Sequence, residues 1–223
     1  MELREYPDRE LMMLSLADRI AGDLGRHLRR HDRVSLSVPG GSTPGPVFDV
    51  LCDLEIEWSR VSIMLNDERW VPESSERSNT RLLREHLLRG RAAAAHHVPL
   101  FRDGAEPEEA IDALIGGIEP HLPLSVLLLG MGEDMHTASL IPGADRLDEA
   151  LSDSAPPLMV MRAQGVPEPR VTLTAPVLKG AMDTHVVITG QAKREALERA
   201  QDLPVREAPI RAVLGNATVH WAE

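Results

Sequence analysis

The chain has 223 residues, with 35 Asp and Glu against 24 Lys and Arg, so its formal net charge is -11. That charge excludes a general nucleic-acid binder, which needs a basic face, and 3% aromatic residues are too few for a base-stacking surface. Hydrophobic residues at 43% suffice for a sizeable core, and the length suits one α/β domain over residues 1–223.

Apolar spacing and turn residues predict strands that alternate with helices along the chain. In the first half we expect helices at 9–30, from about 44 to 51, 78–88 and 107–118. The strands expected there are 34–38, 61–65 and 125–129. The last of these is the most apolar, which is typical of a strand buried on both faces of a sheet.

The second half continues the same alternation. The expected strands are 158–161, 170–174 and 185–189, followed by a helix at 191–200 and further strands near 210–214 and 218–221. Together these elements predict a mostly parallel, twisted sheet with helices on both faces. Ligands of such sheets bind at the carboxyl ends of strands, near the point where strand order reverses. Polar, glycine-bearing stretches follow Val38, Leu65 and Leu129, so we expect the site there.

Signals for export, membrane insertion and metal binding are weak. The N-terminus lacks a basic segment before an apolar one, and no apolar run approaches ~18 residues, so a cytoplasmic protein without membrane contact is expected. Cys52 is the single cysteine and is predicted to be a small buried hydrophobe. His27 with His31, and His96 with His97, have spacings found in metal sites, but no third ligand accompanies them, so we expect no metal.

The stretch 39–44 has the composition of an anion cradle between a strand and a helix. Gly40 and Gly41 allow close approach of backbone N–H groups, and Ser42 and Thr43 add hydroxyl donors. No Gly-Lys-Ser/Thr follows, and Pro44 stands where a nucleophile elbow needs glycine. An ordinary strand-to-helix turn is an equally good interpretation of this stretch alone.

Further charged residues follow predicted strands. Asp67, Glu68 and Arg69 offer two carboxylates and a guanidinium for proton transfer or phosphate binding, although a solvated charged turn is the commoner outcome. Arg170 and Lys193 are single cations at the ends of elements. Taken singly, each side chain is best interpreted as a solvated surface charge. Together with the loop at 40–43, the two cations could hold one phosphate.

A histidine lies in the turn after the most apolar strand. Gly130 and Gly132 precede it, but a third glycine is missing, which argues against a dinucleotide site. His136 is suited to acid–base chemistry near neutral pH, and Asp134 or Glu133 could orient its ring. A lone His–Asp pair is more often structural, so this pair needs further support.

In combination these stretches resemble the 6-phosphogluconolactonase family, which shares its fold with glucosamine-6-phosphate deaminase. The resemblance rests on the motifs at 38–44, 66–72 with 78–79, 129–143, 170–174 and 190–193. Their order and spacing match from about residue 34 to the end. No single motif is specific for this family, whereas the whole series in this order is.

The resemblance implies a single Rossmann-like domain that hydrolyses 6-phospho-D-glucono-1,5-lactone without metal or organic cofactor. It implies that His136 activates water, with Asp134 orienting it, and that Asp67 and Arg69 line the sugar side. Phosphate binding is implied for Gly40, Gly41, Ser42, Thr43, Arg170 and Lys193. The group that stabilises the oxyanion stays open between Arg69 and backbone N–H groups of the 130–132 turn. A monomer is the expected state.

Two departures from the family pattern concern packing near the histidine. Met135 stands where the family often has glycine, and a positive φ there would strain a methionine. Ile141 before Pro142 replaces a frequent phenylalanine. We expect the turn to accept Met135, with its side chain packed inward or over the pocket.

Two other functions are possible for this fold. Deaminases carry a glutamate shortly after the histidine and a tyrosine after the Asp-Glu pair, whereas this chain has Leu140, Ile141 and Arg69. A sugar-phosphate sensor without turnover is usually fused to a DNA-binding helix-turn-helix, for which there is no room before Val34. Both comparisons favour the lactonase.

Overall fold

The strands form two separate sheets. The computed structural model describes residues 1–41 and 43–223. Its strands are Glu2–Glu5 (β1), Val34–Val38 (β2), Val61–Leu65 (β3), Asp67–Arg69 (β4), His96–Val98 (β5), Val126–Gly130 (β6), Leu158–Met161 (β7), Arg170–Leu173 (β8), Asp183–Thr189 (β9) and Ala217–Ala222 (β10).

Seven of these strands form the main sheet, in the order β1-β10-β9-β6-β2-β3-β5, with every neighbouring pair parallel. β2 and β3 are buried along their whole length, as is expected when helices cover a parallel sheet. From β2 the chain proceeds outward through β3 and β5, and then returns to build β6 and β9 on the other side. The strand order therefore reverses between β2 and β6.

Asn66 ties the strand ends together at this switch point. Its side-chain oxygen accepts from the Ser37 hydroxyl at 2.6 Å, and its amide donates to the Leu128 carbonyl at 2.8 Å. Its own carbonyl accepts from the Leu173 N–H at 2.8 Å. These bonds fix the end of β3 against β2, β6 and the second sheet.

The second sheet is antiparallel and has the order β4-β8-β7. In its β4–β8 ribbon, Asp67 lies opposite Thr172 and Arg69 opposite Arg170. Because side chains alternate along a strand, these four share one face. Val171 and Glu68 lie on the opposite face.

The helices flank these sheets. Their bounds are Arg9–Leu28 (α1), Gly45–Leu51 (α2), Asn79–His86 (α3), Pro107–Ile118 (α4), Leu147–Leu151 (α5), Ala175–Lys179 (α6), Gln191–Ala200 (α7) and Arg211–Leu214 (α8), with short 3-10 turns at Trp58–Arg60, Gly90–Ala94 and Glu119–His121. The Asp8 side chain caps α1 by accepting the Leu11 N–H at 2.8 Å. Helical spacing then places Met12, Leu16 and Ile20 on its buried face.

The predicted α/β class with a mainly parallel sheet is confirmed, and the predicted elements recur with small shifts in their ends. The strand expected near 210–214 is wrong, because Arg211–Leu214 is a short helix. Pro209 fixes a helical φ just before it, and its carbonyl accepts the Ala212 N–H at 3.0 Å. The strands β1, β4 and β5 have no predicted counterpart, since short edge strands lack a strong apolar pattern.

Cys52 is buried, as predicted. Among the described residues, no helix combines the length and apolar composition that crossing a bilayer requires.

Candidate active site

A polar cavity of about 290 Å³ lies at the carboxyl ends of the central strands, beside the switch point. It brings together predicted site residues from five separate stretches of the chain. Those that line it are Gly40, Gly41, Thr43, Asp67, Arg69, His136, Arg170 and Lys193. Ser42 was also predicted here and lies outside the described residues.

The histidine and its aspartate form a close pair at the edge of this cavity. His136 Nδ1 lies 2.5 Å from Asp134 Oδ1, and the His136 side chain is 36% exposed. The hydrogen bond from His136 lowers the pKa of Asp134 below its usual range, so Asp134 is ionised at neutral pH. An ionised carboxylate accepts the proton of Nδ1, which leaves the lone pair of a neutral ring on Nε2.

The turn that carries the histidine is tightly closed. The Gly132 N–H donates to the His136 carbonyl at 3.1 Å, and the Met135 N–H donates to the Gly132 carbonyl at 3.0 Å. Met135 has a φ of 65°, so the position does require the left-handed region. Its side chain is partly buried against the core, which agrees with the inward one of the two placements we expected.

Gly132 also makes room for the pair. A Cβ at this position would overlap the ring of His136 and the carboxylate of Asp134. Since its N–H already binds the His136 carbonyl, Gly132 has no backbone donor left for an oxyanion.

The β4–β8 ribbon supplies the charged wall of the cavity. Asp67 is 5% exposed, and its Oδ2 lies 3.4 Å from Arg170 Nη1. Arg69 donates through Nη1 to the Arg77 carbonyl at 2.6 Å, and its Nε lies 3.7 Å from Glu168. Period-two alternation therefore presents one carboxylate and two guanidiniums to the same space.

The two arginines are unfavourable neighbours without an anion. Arg69 and Arg170 lie directly opposite each other, where like charges destabilise a strand pair. Burial, and then the charge of Arg170, lowers the pKa of Arg69. The buried Nε atoms of both find no hydrogen-bond partner among residues 1–41 and 43–223. Two guanidiniums on one cavity wall are suited to an anionic ligand, which would offset their mutual repulsion.

Glu68 does not belong to the cavity. It is 0% exposed and accepts the backbone N–H groups of Asn79 and Thr80 at 2.8 and 2.7 Å, with a further bond of 2.7 Å from the Thr80 hydroxyl. Burial raises the pKa of Glu68, and these hydrogen bonds lower it by a smaller amount. Glu68 therefore anchors the start of α3, and only Asp67 and Arg69 of the triplet face the ligand space.

The backbone at Gly40, just after β2, approaches α3 closely. A Cβ on Gly40 would overlap the side chain of Asn79, which donates to the Asp67 carbonyl at 3.0 Å and lines the cavity. Gly41 has a φ of 84°, which glycine adopts without strain. Lys193 enters from the first turn of α7 and makes no ion pair with any described residue.

Sequence reasoning assigned no role to Asn79, Ser139 or Glu168. Asn79 lines the cavity, whereas Ser139 and Glu168 contact Asp67 and Arg69. Asn79 belongs to a motif that carried the family resemblance, so a signal existed. Ser139 also lies in such a motif, at 129–143, but its contact with Asp67 and that of Glu168 with Arg69 join distant segments, which no local pattern predicts.

Two neighbouring features have a different character. A larger cleft of about 600 Å³ adjoins the cavity at Thr43, but it is mostly apolar and lies against α1 and α2. Within the part of the chain that the structure describes, no cluster of three or more His, Cys, Asp or Glu side chains could hold a metal ion.

The chain is similar to known proteins over nearly its whole length. Residues 7–221 match the family model described as glucosamine-6-phosphate isomerases/6-phosphogluconolactonase. A 6-phosphogluconolactonase of Rhizobium meliloti is 41% identical over 216 residues, covering 93% of both chains. One from Pseudomonas aeruginosa is 40% identical over 210 residues, covering 92% of this chain and 88% of the other.

A solved structure agrees with these sequence matches. The crystal structure of a 6-phosphogluconolactonase from Shewanella baltica OS155 superposes with a TM-score of 0.96 at 31% identity, covering 100% of this chain and 98% of the other. The chain therefore belongs to the glucosamine-6-phosphate isomerase/6-phosphogluconolactonase family.

Proposed function

We propose that this protein hydrolyses 6-phospho-D-glucono-1,5-lactone to 6-phospho-D-gluconate, a step of the oxidative pentose phosphate pathway. The observation that carries the proposal is one cavity that combines the His136–Asp134 pair with three cations, Arg69, Arg170 and Lys193. The relatives named 6-phosphogluconolactonase give it independent support.

His136 acts as the general base in this mechanism. Its Nε2 takes a proton from water as the water oxygen attacks the lactone carbonyl carbon, while Asp134 stabilises the imidazolium that forms. The tetrahedral intermediate then collapses, the bond from carbon to the ring oxygen breaks, and His136 returns its proton to that oxygen. The product is an open-chain molecule in which the former ring oxygen is a hydroxyl group, and its new carboxylic acid ionises to a carboxylate.

The developing oxyanion needs a donor near the carbonyl. Arg69 and the backbone of the 130–132 turn were both candidates, and the Gly132 N–H is already used within the turn. Arg69 and the N–H groups of Gly130 and Met131 remain, and we propose Arg69 because its guanidinium lines the cavity and carries a full positive charge.

In this proposal the phosphate binds between the stretch 40–43, Arg170 and Lys193. Thr43, Gly40 and Gly41 line the same cavity, and Ser42 is proposed to join them on the basis of the motif. Binding of the remote phosphate orients the lactone toward His136, which raises the fraction of productive encounters.

The deaminase reaction is disfavoured by the residues after the histidine. Leu140 is fully buried and Ile141 is apolar, so neither can transfer a proton during ring opening. Arg69 also stands where the deaminases carry tyrosine.

Turnover by the purified protein tests the proposal directly. Freshly generated 6-phosphogluconolactone is followed in a pH-stat, with the spontaneous rate subtracted, beside glucosamine 6-phosphate as the competing substrate. We expect acceleration of lactone hydrolysis alone. His136→Ala removes the base and should lower kcat by about 10²- to 10⁴-fold.

Asp49 and His86 provide a matched control. They form a His–carboxylate contact of 2.8 Å that is also partly exposed, but neither lines the cavity. His86→Ala should therefore keep wild-type kcat. Near-wild-type turnover in His136→Ala would remove His136 from the mechanism.

A further inference from the structure

A buried hydroxyl lies directly behind the carboxylate of the cavity. Ser139 is 0% exposed, and its Oγ donates to Asp67 Oδ2 at 2.6 Å. Arg170 Nη1 approaches the same oxygen only to 3.4 Å. One carboxylate oxygen is thus shared unequally between a short bond to a hydroxyl and a long one to a guanidinium.

Ser139 is itself held by the ribbon. Its N–H donates to the Thr172 Oγ1 at 3.1 Å, and Thr172 pairs with Asp67 across β4 and β8. Ser139 is also the third residue after His136, in the segment where Thr137 Oγ1 donates to the Gly130 carbonyl at 2.9 Å. The two bonds of Ser139 therefore connect the histidine turn to the charged ribbon.

The sharing of Asp67 affects where Arg170 points. A carboxylate and a guanidinium without a competing donor close to about 2.8 Å. The short bond from the Ser139 hydroxyl draws off part of the negative charge of Oδ2, so Asp67 attracts Arg170 less strongly, and Arg170 stays at the longer distance and lines the cavity. The hydroxyl thereby keeps part of the cation available to a ligand.

We propose that Ser139 is a positioning residue for the anion site: its hydroxyl holds Asp67 so that Arg170 stays directed into the cavity. The identity of the organic ligand rests on the proposed function, whereas the positioning itself does not. Loss of the hydroxyl lets Asp67 draw Arg170 out of the cavity and weakens anion binding.

Ser139→Ala tests this inference. We expect KM for the lactone to rise about tenfold, the scale of one hydrogen bond to a charged group, while kcat changes less than about threefold. Affinity for inorganic phosphate, measured by calorimetry, should fall by a similar factor. Ser62→Ala is the control, because it also removes a buried hydroxyl, one without a partner among the described residues and remote from the cavity.

The substituted proteins must distinguish positioning from a loss of packing. Ser139→Cys keeps the side-chain volume with a much weaker donor, so it should reproduce the loss of affinity even if Ser139→Ala folds poorly. Ser139→Thr keeps the hydroxyl and should restore phosphate affinity toward wild type. Wild-type phosphate affinity and KM in both Ser139→Ala and Ser139→Cys would overturn the inference.

A double-mutant cycle with Asp67→Ala shows whether Ser139 acts through Asp67. With Asp67 removed, Ser139→Ala should cause no further loss of phosphate affinity, whereas fully additive losses would overturn the proposed route. The phosphate measurements need no turnover. A wild-type protein that binds phosphate in this pattern but leaves the lactone unhydrolysed would refute the proposed function and leave the role of Ser139 supported.

Discussion

Met135 adopts a backbone conformation that glycine would take without strain, one residue before the proposed base. Its carbonyl accepts the Ile210 N–H at 3.1 Å, and its side chain packs against the core. These contacts stabilise a turn that costs about 1 kcal/mol or more for a non-glycine residue. The sequence indicated where the strain would arise, but the contact with residue 210 depends on the tertiary fold.

Gly132 is the residue of this turn that should tolerate substitution least. Gly132→Ala would place a methyl group where His136 and Asp134 now lie, so the pair must move. Small displacements of a catalytic group are costly, and we expect kcat to fall about 100-fold. The lactone assay measures this loss, and circular dichroism checks that the fold is retained.

Gly116 offers a glycine control within a helix. A Cβ there meets no atom within 4 Å, and Ala is the better helix former by about 1 kcal/mol. Gly116→Ala should therefore keep wild-type kcat and raise the unfolding free energy. A Gly132→Ala protein with unchanged kcat would show that the His136–Asp134 geometry is not critical.

Among the elements, the β4–β8 ribbon contributes most to the candidate site. The sequence predicted a polar loop after β3, because Asp67, Glu68 and Arg69 have none of the apolar alternation of a half-buried strand. Pairing with β8 gives the triplet its period of two, which separates Glu68 from Asp67 and Arg69. As a result Glu68 binds the start of α3, whereas Asp67 and Arg69 line the cavity.

The first turn of α7 carries Lys193 to the cavity. Gly190 precedes the helix with a φ of 82° and lets the chain turn sharply out of β9. In the proposed function, Lys193→Ala removes a point charge that binds the phosphate equally in ground and transition states, so KM should rise about tenfold with kcat nearly unchanged. Steady-state kinetics and calorimetry with 6-phosphogluconate measure the effect.

Lys179 is the matched lysine for this experiment. It ends α6, where its Nζ lies 2.6 Å from Asp153 on an exposed surface. Lys179→Ala should leave KM unchanged. If Lys193→Ala binds 6-phosphogluconate as tightly as wild type, Lys193 is no part of the phosphate site.

For the whole molecule, the net charge of -11 and the proposed anionic ligand are compatible. The fold concentrates Arg69, Arg170 and Lys193 around one cavity, so the local field there opposes the overall charge. Composition therefore argues against large polyanionic partners, whereas it is compatible with a small phosphate.

The two ends of the chain are joined through a buried histidine network that should make global stability sensitive to pH. Tyr6 Oη lies 2.8 Å from His220 Nδ1, His220 Nε2 lies 3.2 Å from His185 Nδ1, and His185 Nε2 lies 2.9 Å from Asp23. Burial, followed by the charge of His185, lowers the pKa of His220 to about 3, with smaller contributions from nearby arginines. His220 is therefore neutral in the folded protein.

The sign of the pH effect follows from this shift. The unfolded chain protonates His220 below about pH 6.5, whereas the folded chain does so only near pH 3. Its contribution to stability is complete above pH 6.5 and is lost as the pH falls toward 3, at about 1.4 kcal/mol per pH unit. The unfolding free energy, measured by urea titration at several pH values between 7 and 4.5, should depend less steeply on pH in His220→Gln than in wild type. The difference should correspond to the uptake of about one proton on unfolding.

His96 serves as the control because it is exposed on a strand at the sheet edge. His96→Gln should retain the wild-type slope. Equal slopes in wild type and His220→Gln would mean that His220 does not titrate differently between the folded and unfolded states.

The sequence by itself determined the α/β class, the order of most elements, the switch-point location and most of the residues that line the cavity. It could do so because apolar periodicity and glycine-bearing turns are local signals, and because the motifs recur in a specific order. The helix at Arg211–Leu214 was mistaken for a strand, since short segments satisfy both patterns.

Only the tertiary structure decided which side chains share a face and which residues support them. The antiparallel ribbon set Arg69 opposite Arg170, and the fold brought Ser139 to Asp67 across 72 positions of sequence. Contacts of that separation arise from the packing of whole elements, and a buried serine has no local pattern that names its partner. The residue types that line the cavity were thus predictable from the sequence, whereas their arrangement required the fold.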